Sequence, residues 1–375
     1  MVRRLIDGAT LLLIALLALG WWRERGQTAP SSPAPAPFDW SEVSTRDLNI
    51  ASVFLTAREH GVRQAMDSLR DLAMKDTTLH ADGHMIAHAL GRFAIANNGH
   101  DPAVLAQCRP TFEAGCFHGV LEGYLMSLGQ VDAGVVTRLC ASYDKPDSTR
   151  VTAIECAHGL GHGLLEHFAY DLARALGGCD TFASDDLRGE CHDGVFMENA
   201  IHGLGMHGMN VGDSAVAMQM GNTMHMQPGA AQATHFRASD LAFPCDSVAA
   251  SYQPSCWSYQ PLVIVNLVRG DFAKTLRTCH AAPTLSRARC FTGFGKQSMA
   301  WFGWDGSRVI KTCSEAADHA ADCLAGAVEA LLDRDELVGG ADRFCDAAPA
   351  SLRQSCREAA ARRASSLRLL GQGPR

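Results

Sequence analysis

The spacing of the cysteines is the feature that most constrains how this chain folds. Fourteen cysteines lie between residues 108 and 356, and the gaps between them alternate between short and long. When every second cysteine is taken as the start of a segment, the last four starts lie 34, 33 and 33 residues apart. A period of this length is typical of the helix–turn–helix unit of a repeat protein. The cysteines therefore provide a register in which the rest of the sequence can be aligned.

The same alternation predicts which cysteines pair. Most long gaps span 22 to 24 residues, enough for two short helices and a turn, so pairing across the short gaps joins one unit to the next. Thiolate–zinc binding is the alternative, but the chain has no CxxC motif and no CxxCH motif for haem c. Disulfides of this number indicate an oxidising compartment. The predicted pairs are Cys108–Cys116, Cys140–Cys156, Cys179–Cys191, Cys245–Cys256, Cys279–Cys290, Cys313–Cys323 and Cys345–Cys356.

A glycine recurs three positions after the segment start. Glycine destabilises a helix, so its repeated use there predicts close packing against a neighbouring helix. The predicted fold is all-α, a solenoid or toroid-like array of about seven disulfide-stapled helix pairs. In period, helix pairing and stapling the chain resembles tetratricopeptide-like and Sel1-like repeats, although the Sel1 consensus of aromatic and charged residues is absent. The recurring glycines are Gly119, Gly159, Gly194, Gly293 and Gly326.

The first 38 residues predict export. A short basic start and the uncharged apolar run 9–22 make residues 1–25 a signal anchor or a signal peptide. Trp21 and Trp22 before an arginine favour a retained anchor in the inner membrane. Residues 26–38 are a Pro/Ala-rich linker, which is too poor in apolar side chains to form a core. The expected location is extracytoplasmic, periplasmic or at the cell surface, with residues 39–375 as the folded helical domain.

Ligand-type side chains follow the repeat register in only part of the chain. Thirteen of the sixteen histidines lie between His80 and His235. In three successive segments, the first of which has Asp82 in place of the starting cysteine, positions +2 and +6 carry histidine or glutamate. Residues four apart lie on one face of a helix. In the next segment position +2 is Asp193, and in the three segments after it position +2 is Ser258, Thr292 and Ala325. The candidate metal ligands are His84, His88, His118, Glu122, His158 and His162.

This termination favours a site over a structural role, because histidines that serve the fold would recur with it. Imidazole with carboxylate suits a transition metal, Fe, Cu or Zn, and six groups are enough for one or two ions. The structural alternative is that each +2 histidine caps its own helix and donates to a neighbouring carbonyl group. The units at 79–245 are thus the His-rich part and those at 246–375 the His-poor part.

A long insertion, 203–240, interrupts the His-rich units and is rich in methionine. Thioether and imidazole together favour Cu(I), which predicts a copper-transfer loop. The alternative is a flexible lid of adaptable side chains. Glu122 and Glu166 are the candidate catalytic residues. Candidates for a secondary metal site or for supporting the ligands are His167, Asp193, Glu198, His202, His207, Met224, His225 and Met226.

Three classes of function remain open at this level. The first is a metalloenzyme with redox or hydrolytic chemistry at the His/Glu site; the second is a copper-binding or copper-delivery protein. The third is a scaffold with structural histidines whose concave face binds an envelope protein or peptide. Nucleic acid is not an expected partner, because 33 basic residues against 40 acidic residues give a net charge of −7.

Overall fold

A computed structural model describes residues 44–76, 79, 82–109, 111–141, 143, 150–205, 236–333 and 340–369. These residues form helices joined by turns and contain no β-strand, only a single bridge between Arg237 and Asp240. The predicted all-α class is therefore confirmed for the described part of the chain. The helices are α1 Thr45–His60, α2 Val62–Ala73, α3 Gly83–Asn97, α4 Gly115–Ser127, α5 Ala133–Ala141, α6 Arg150–His167, α7 Leu172–Cys179, α8 Asp185–Gly203, α9 Gln253–Leu267, α10 Phe272–Ala281, α11 Thr284–Trp301, α12 Gly306–Ser314, α13 Ala320–Asp333, α14 Gly340–Ala347 and α15 Arg353–Leu369.

A recurring turn separates the long helices from the shorter ones that follow. At four places two residues with positive φ precede an aspartate whose side chain accepts a hydrogen bond from a backbone N–H of the next helical turn. Positive φ ends the preceding helix, and the aspartate caps the start of the next. This local turn allows one helix to end and the next to begin with only four residues between them. The capping residues are Asp101, Asp171, Asp271 and Asp305.

The long helices pack in sequence order. Helix α3 packs on α4, α4 on α6, α6 on α8, and the series continues through α9, α11, α13 and α15. The shorter helices α5, α7, α10, α12 and α14 each pack against the long helix that follows. The side chains of the three site-bearing helices α3, α4 and α6 are therefore adjacent.

All seven predicted disulfides are present, with the predicted pairing. Every cysteine is buried and no free cysteine occurs. Five of the bonds join a short helix to the long helix after it, and a disulfide that closes a loop of this size typically stabilises a fold by about 3 kcal/mol. Seven such bonds indicate an oxidising, extracytoplasmic environment.

The repeated glycines lie where helices approach most closely. A Cβ at Gly119, Gly194, Gly293 or Gly326 would overlap the carbonyl oxygen of a residue on the neighbouring long helix. The predicted close packing at these positions is confirmed, because only glycine allows two backbones to touch there. Gly159 differs, since a Cβ would instead press on the side chain of His118.

The predicted N-terminal anchor and linker, residues 1–38, lie outside the described residues. Within the described ranges, which begin at residue 44, no helix combines the length and apolar character needed to cross a membrane. The described residues, from Ser44 to Leu369, belong to one compact unit.

Candidate metal centre

Three neighbouring helices each contribute two side chains to one cluster. His84 and His88 come from α3, His118 and Glu122 from α4, and the third pair from α6. Each pair is four residues apart, so both members lie on the helix face that meets the next helix. The third pair is His158 and His162.

The donor atoms of these six side chains come close enough to hold a metal ion. In each of three groups the donor atoms lie within 4.8 Å of one another. Most of the cluster is buried: His118, Glu122 and His162 are at most 2% exposed. The three groups are His84–His88–His118, His118–His158–His162 and His88–Glu122–His162.

Three of the histidines have one ring nitrogen held by an acceptor, which is a group outside the cluster for His84 and His162 and is Glu122 of the cluster itself for His88. The Nδ1 atom of His84 donates to the carbonyl oxygen of Phe112 at 2.9 Å. The Nδ1 atom of His162 lies 3.1 Å from Oε2 of Glu198, and that of His88 lies 3.1 Å from Oε2 of Glu122. An Nδ1–H bonded in this way leaves the lone pair on Nε2, as in most histidine ligands of metal ions.

The Nε2 atoms of His158 and His162 lie 3.3 Å apart. Two imidazole nitrogens bound to one tetrahedral zinc ion at about 2.0–2.1 Å are separated by roughly the same distance. Nδ1 of His158 points away from this pair, 3.9 Å from Oε2 of Glu190. The α6 histidines are thus arranged as two ligands of one ion would be.

Burial keeps four of the cluster histidines uncharged, which metal binding requires. It lowers the pKa of His84, His118 and His158, and lowers that of His88 to about 4 despite the opposing charge of Glu122. Neighbouring histidines lower these values further, because two imidazolium ions would repel each other. At neutral pH these four rings are neutral and have a free lone pair.

Arg92 connects two carboxylates at one side of the cluster. Its Nε donates to Glu122 at 2.9 Å and its Nη2 to Glu166 at 2.8 Å. Burial alone would raise the pKa of Glu122, but the charges of His88 and Arg92 outweigh it and hold that pKa well below its usual range. Burial raises the pKa of Glu166 to about 7, although Arg92 opposes the shift. One carboxylate therefore stays ionised while the other titrates near neutral pH.

His118 differs from the other cluster histidines. Both of its ring nitrogens are buried and have no hydrogen-bond partner. The expected structural role, in which a +2 histidine donates to a neighbouring carbonyl group, describes His84 but not His118. A buried polar atom left unpaired costs about 1–3 kcal/mol, so a ligand at this ring would stabilise the fold.

Three of the other predicted residues have contacts of their own. Glu198 lies at the cluster, where it also accepts a hydrogen bond from the Tyr170 hydroxyl at 3.2 Å. His202 stacks on Tyr170 with ring centroids 3.6 Å apart. His167 instead donates to the carbonyl oxygen of Leu125 at 3.0 Å.

Asp193, although it occupies position +2 of its segment, is absent from the three donor groups found among the described residues. Its carboxylate lies 3.6 Å from Nη1 of Arg289. The remaining predictions, His207, Met224, His225 and Met226, lie outside the described residues.

Sequence reasoning missed Arg92, Tyr170 and Glu190. A signal for Arg92 exists, because Arg92 follows His88 by four residues just as His88 follows His84. Glu166 likewise follows His162 by four residues. Tyr170 and Glu190 have no such signal, since they reach the cluster only through the packing of α6 against α8 and the turn between helices.

No protein-family model, curated protein or solved structure matches this chain.

Proposed function

We propose that the cluster binds one or two transition-metal ions and that the chain is an extracytoplasmic metal-dependent enzyme. The observation that carries this proposal is that an acceptor holds Nδ1 in each of His84, His88 and His162. Each anchor selects the tautomer whose Nε2 lone pair is free. Histidines that only filled space in a helix interface would not need three separate acceptors for this one tautomer.

The composition of the cluster favours iron, zinc or copper over calcium or magnesium. Five of the six donors are imidazoles, which suit iron, zinc and copper, and only one is a carboxylate, the oxygen donor that calcium and magnesium prefer. In this proposal Glu122 either binds the metal or orients His88 while Arg92 keeps it ionised.

The adjacent Glu166 supports catalysis rather than storage. A carboxyl group whose pKa is about 7 can both accept and release a proton at neutral pH, as a general acid or base must. Its side chain is 15% exposed, so solvent reaches it, and Arg92 holds it in place. We assign it the proton-transfer role, with hydrolysis or redox chemistry as the reaction class.

The proposal also includes the repeat architecture, the membrane anchor and a binding partner. The helix pairs form a stapled repeat array, a solenoid, in which α3, α4 and α6 place the metal on one face. Residues 1–25 tether the array to the inner membrane. An envelope protein or peptide binds the concave face.

Metal analysis of the purified full-length protein tests the central claim. We expect stoichiometric Fe, Zn or Cu, and a lower metal content in a His158→Asn/His162→Asn double variant. His280→Asn is the matched control, because His280 is an exposed histidine on α10 and does not belong to the cluster. The absence of bound metal in protein purified from an oxidising compartment, and after incubation with each metal, would refute the proposal.

A second measurement separates catalysis from metal delivery. Glu166→Gln should keep the metal but abolish turnover of any substrate found by screening the metal-loaded protein against hydrolase and oxidase substrates. Loss of Cu(I) affinity on deleting residues 206–226, with the His158/His162 variant unaffected, would instead indicate copper delivery.

A further inference from the structure

His118 lies at the centre of the cluster. Its ring centroid is 5.5 Å from that of His84, 5.2 Å from His88, 5.3 Å from His158 and 4.7 Å from His162. It belongs both to the donor group formed with the two α3 histidines and to the group formed with the two α6 histidines. His118 is thus shared between two sets of potential ligands that come from opposite neighbouring helices.

Both ring nitrogens of His118 are buried, and neither has a hydrogen-bond partner. Every histidine that binds a single ion needs only one free nitrogen, and in His84, His88 and His162 an acceptor holds the other. A neutral imidazole always has one N–H group, which in His118 finds no acceptor. One metal ion would satisfy one nitrogen of this ring and leave the other unpaired.

The side chains and backbone around His118 provide no hydrogen-bond partner for either ring nitrogen. The residue is 2% exposed, and Gly159 packs against its Cδ2 edge so closely that a Cβ there would lie 2.9 Å away. Protonation would worsen the problem, because four neighbouring histidines and burial disfavour a positive charge at this position. A cation bound at each nitrogen satisfies both atoms.

We propose that the His118 side chain bridges two metal ions, one held with His84 and His88 and the other with His158 and His162. This bridge requires the proposed metal-binding function and specifies it as a dinuclear centre. Both nitrogens donate a lone pair, so the ring becomes an imidazolate. The proton of its N–H group is released to solvent when the second ion binds, and no electron is transferred.

Copper(II) is the appropriate probe, because two copper ions joined through an imidazolate couple magnetically. Full-length protein with intact disulfides is titrated with Cu(II) and followed by electron paramagnetic resonance and metal analysis. We expect two copper ions per chain whose integrated spin at low temperature falls well below that of two isolated ions. The second equivalent should release one more proton than the first.

Two variants make the assignment specific. His84→Asn removes a ligand from one side only, and we expect one copper ion per chain with an ordinary uncoupled spectrum. His118→Asn should abolish the coupling even where two ions remain bound. His280→Asn is the control and should behave like the unaltered protein. Circular dichroism and thiol titration verify that each variant is folded and oxidised.

The possible failures are distinguishable. Two ions with the full uncoupled spin, or a single ion in the unaltered protein, would overturn the bridge and leave the metal-binding function intact. No bound copper, zinc or iron would overturn the proposed function itself. Coupling that persists in the His118→Asn variant would assign the bridge to another group and contradict the proposal.

Discussion

Single side chains behind the histidines control their orientation. Glu198 is 2% exposed and is held between Nδ1 of His162 and the hydroxyl of Tyr170. Its position on α8 means that a residue of the following segment orients a ligand on α6. The candidate ligands occupy matching positions in the repeat register, but the groups that orient them do not.

Glu198→Gln should lower metal affinity about 10- to 100-fold, because a neutral amide is a weaker acceptor for Nδ1–H and reduces the basicity of Nε2. Competition with a chromophoric chelator measures this change. Glu329→Gln is the control, since Glu329 is half-buried and pairs with Lys296 at 3.2 Å. Equal affinities in the two variants would show that Glu198 does not orient His162.

At the scale of helices, close contacts between backbones determine how neighbouring long helices pack. Gly326 on α13 touches the carbonyl oxygen of Thr292 on α11, whereas Gly189 on α8 has no atom within 4 Å of a potential Cβ. The two glycines therefore have opposite roles although both lie inside long helices. One is required by packing, and the other only increases the flexibility of the unfolded chain.

Gly326→Ala should destabilise the protein by about 1–3 kcal/mol, because the methyl group forces two helices apart. Gly189→Ala should leave stability unchanged or raise it by up to about 1 kcal/mol. Urea unfolding of the oxidised proteins measures both values. A loss of stability in Gly189→Ala as large as that in Gly326→Ala would contradict the packing explanation.

The cysteine period predicted both the disulfide partners and the helix contacts. Disulfide pairing was readable because it depends on spacing along the chain, and the bonded cysteines are only 8 to 16 residues apart. The turn with two positive-φ residues and an aspartate cap was not predicted. Its residues Ala169, Tyr170 and Trp304 are not the glycines that usually mark such a conformation.

At the scale of the whole molecule, helices far apart in sequence influence one another through charge. Glu155 on α6 is affected by Arg363 of α15 and by Asp333 at the end of α13. Burial raises the pKa of Glu155 to about 7, and Arg363 opposes this shift only in part. The native protein thus keeps a proton on Glu155 that the unfolded chain releases at lower pH.

The stability of the folded protein therefore depends on pH. The native state binds this proton more tightly, so the contribution of Glu155 to stability is present below about pH 4.5 and is lost as pH rises to about 7. The slope is at most about 1.4 kcal/mol per pH unit. Glu155→Gln should remove this pH dependence. The variant therefore gains stability relative to the unaltered protein as the pH rises from about 4.5 to about 7.

Urea unfolding at several pH values compares the two proteins, and the exposed Glu358→Gln on α15 serves as the control. The relative gain of Glu155→Gln should level off above pH 7. A difference that does not change with pH would mean that Glu155 titrates normally in the folded protein.

The sequence by itself determined the all-α class, the seven disulfide pairs and the six side chains that meet at the cluster. These features follow from period and spacing, which local chain geometry converts directly into helix faces and loop closures. Only the tertiary structure decided which ring nitrogens are held, which carboxylate stays ionised and that His118 has no partner. These properties depend on side-chain directions across helix interfaces and on burial, for which residues such as Arg92 and Glu166, 74 positions apart, must first be brought together.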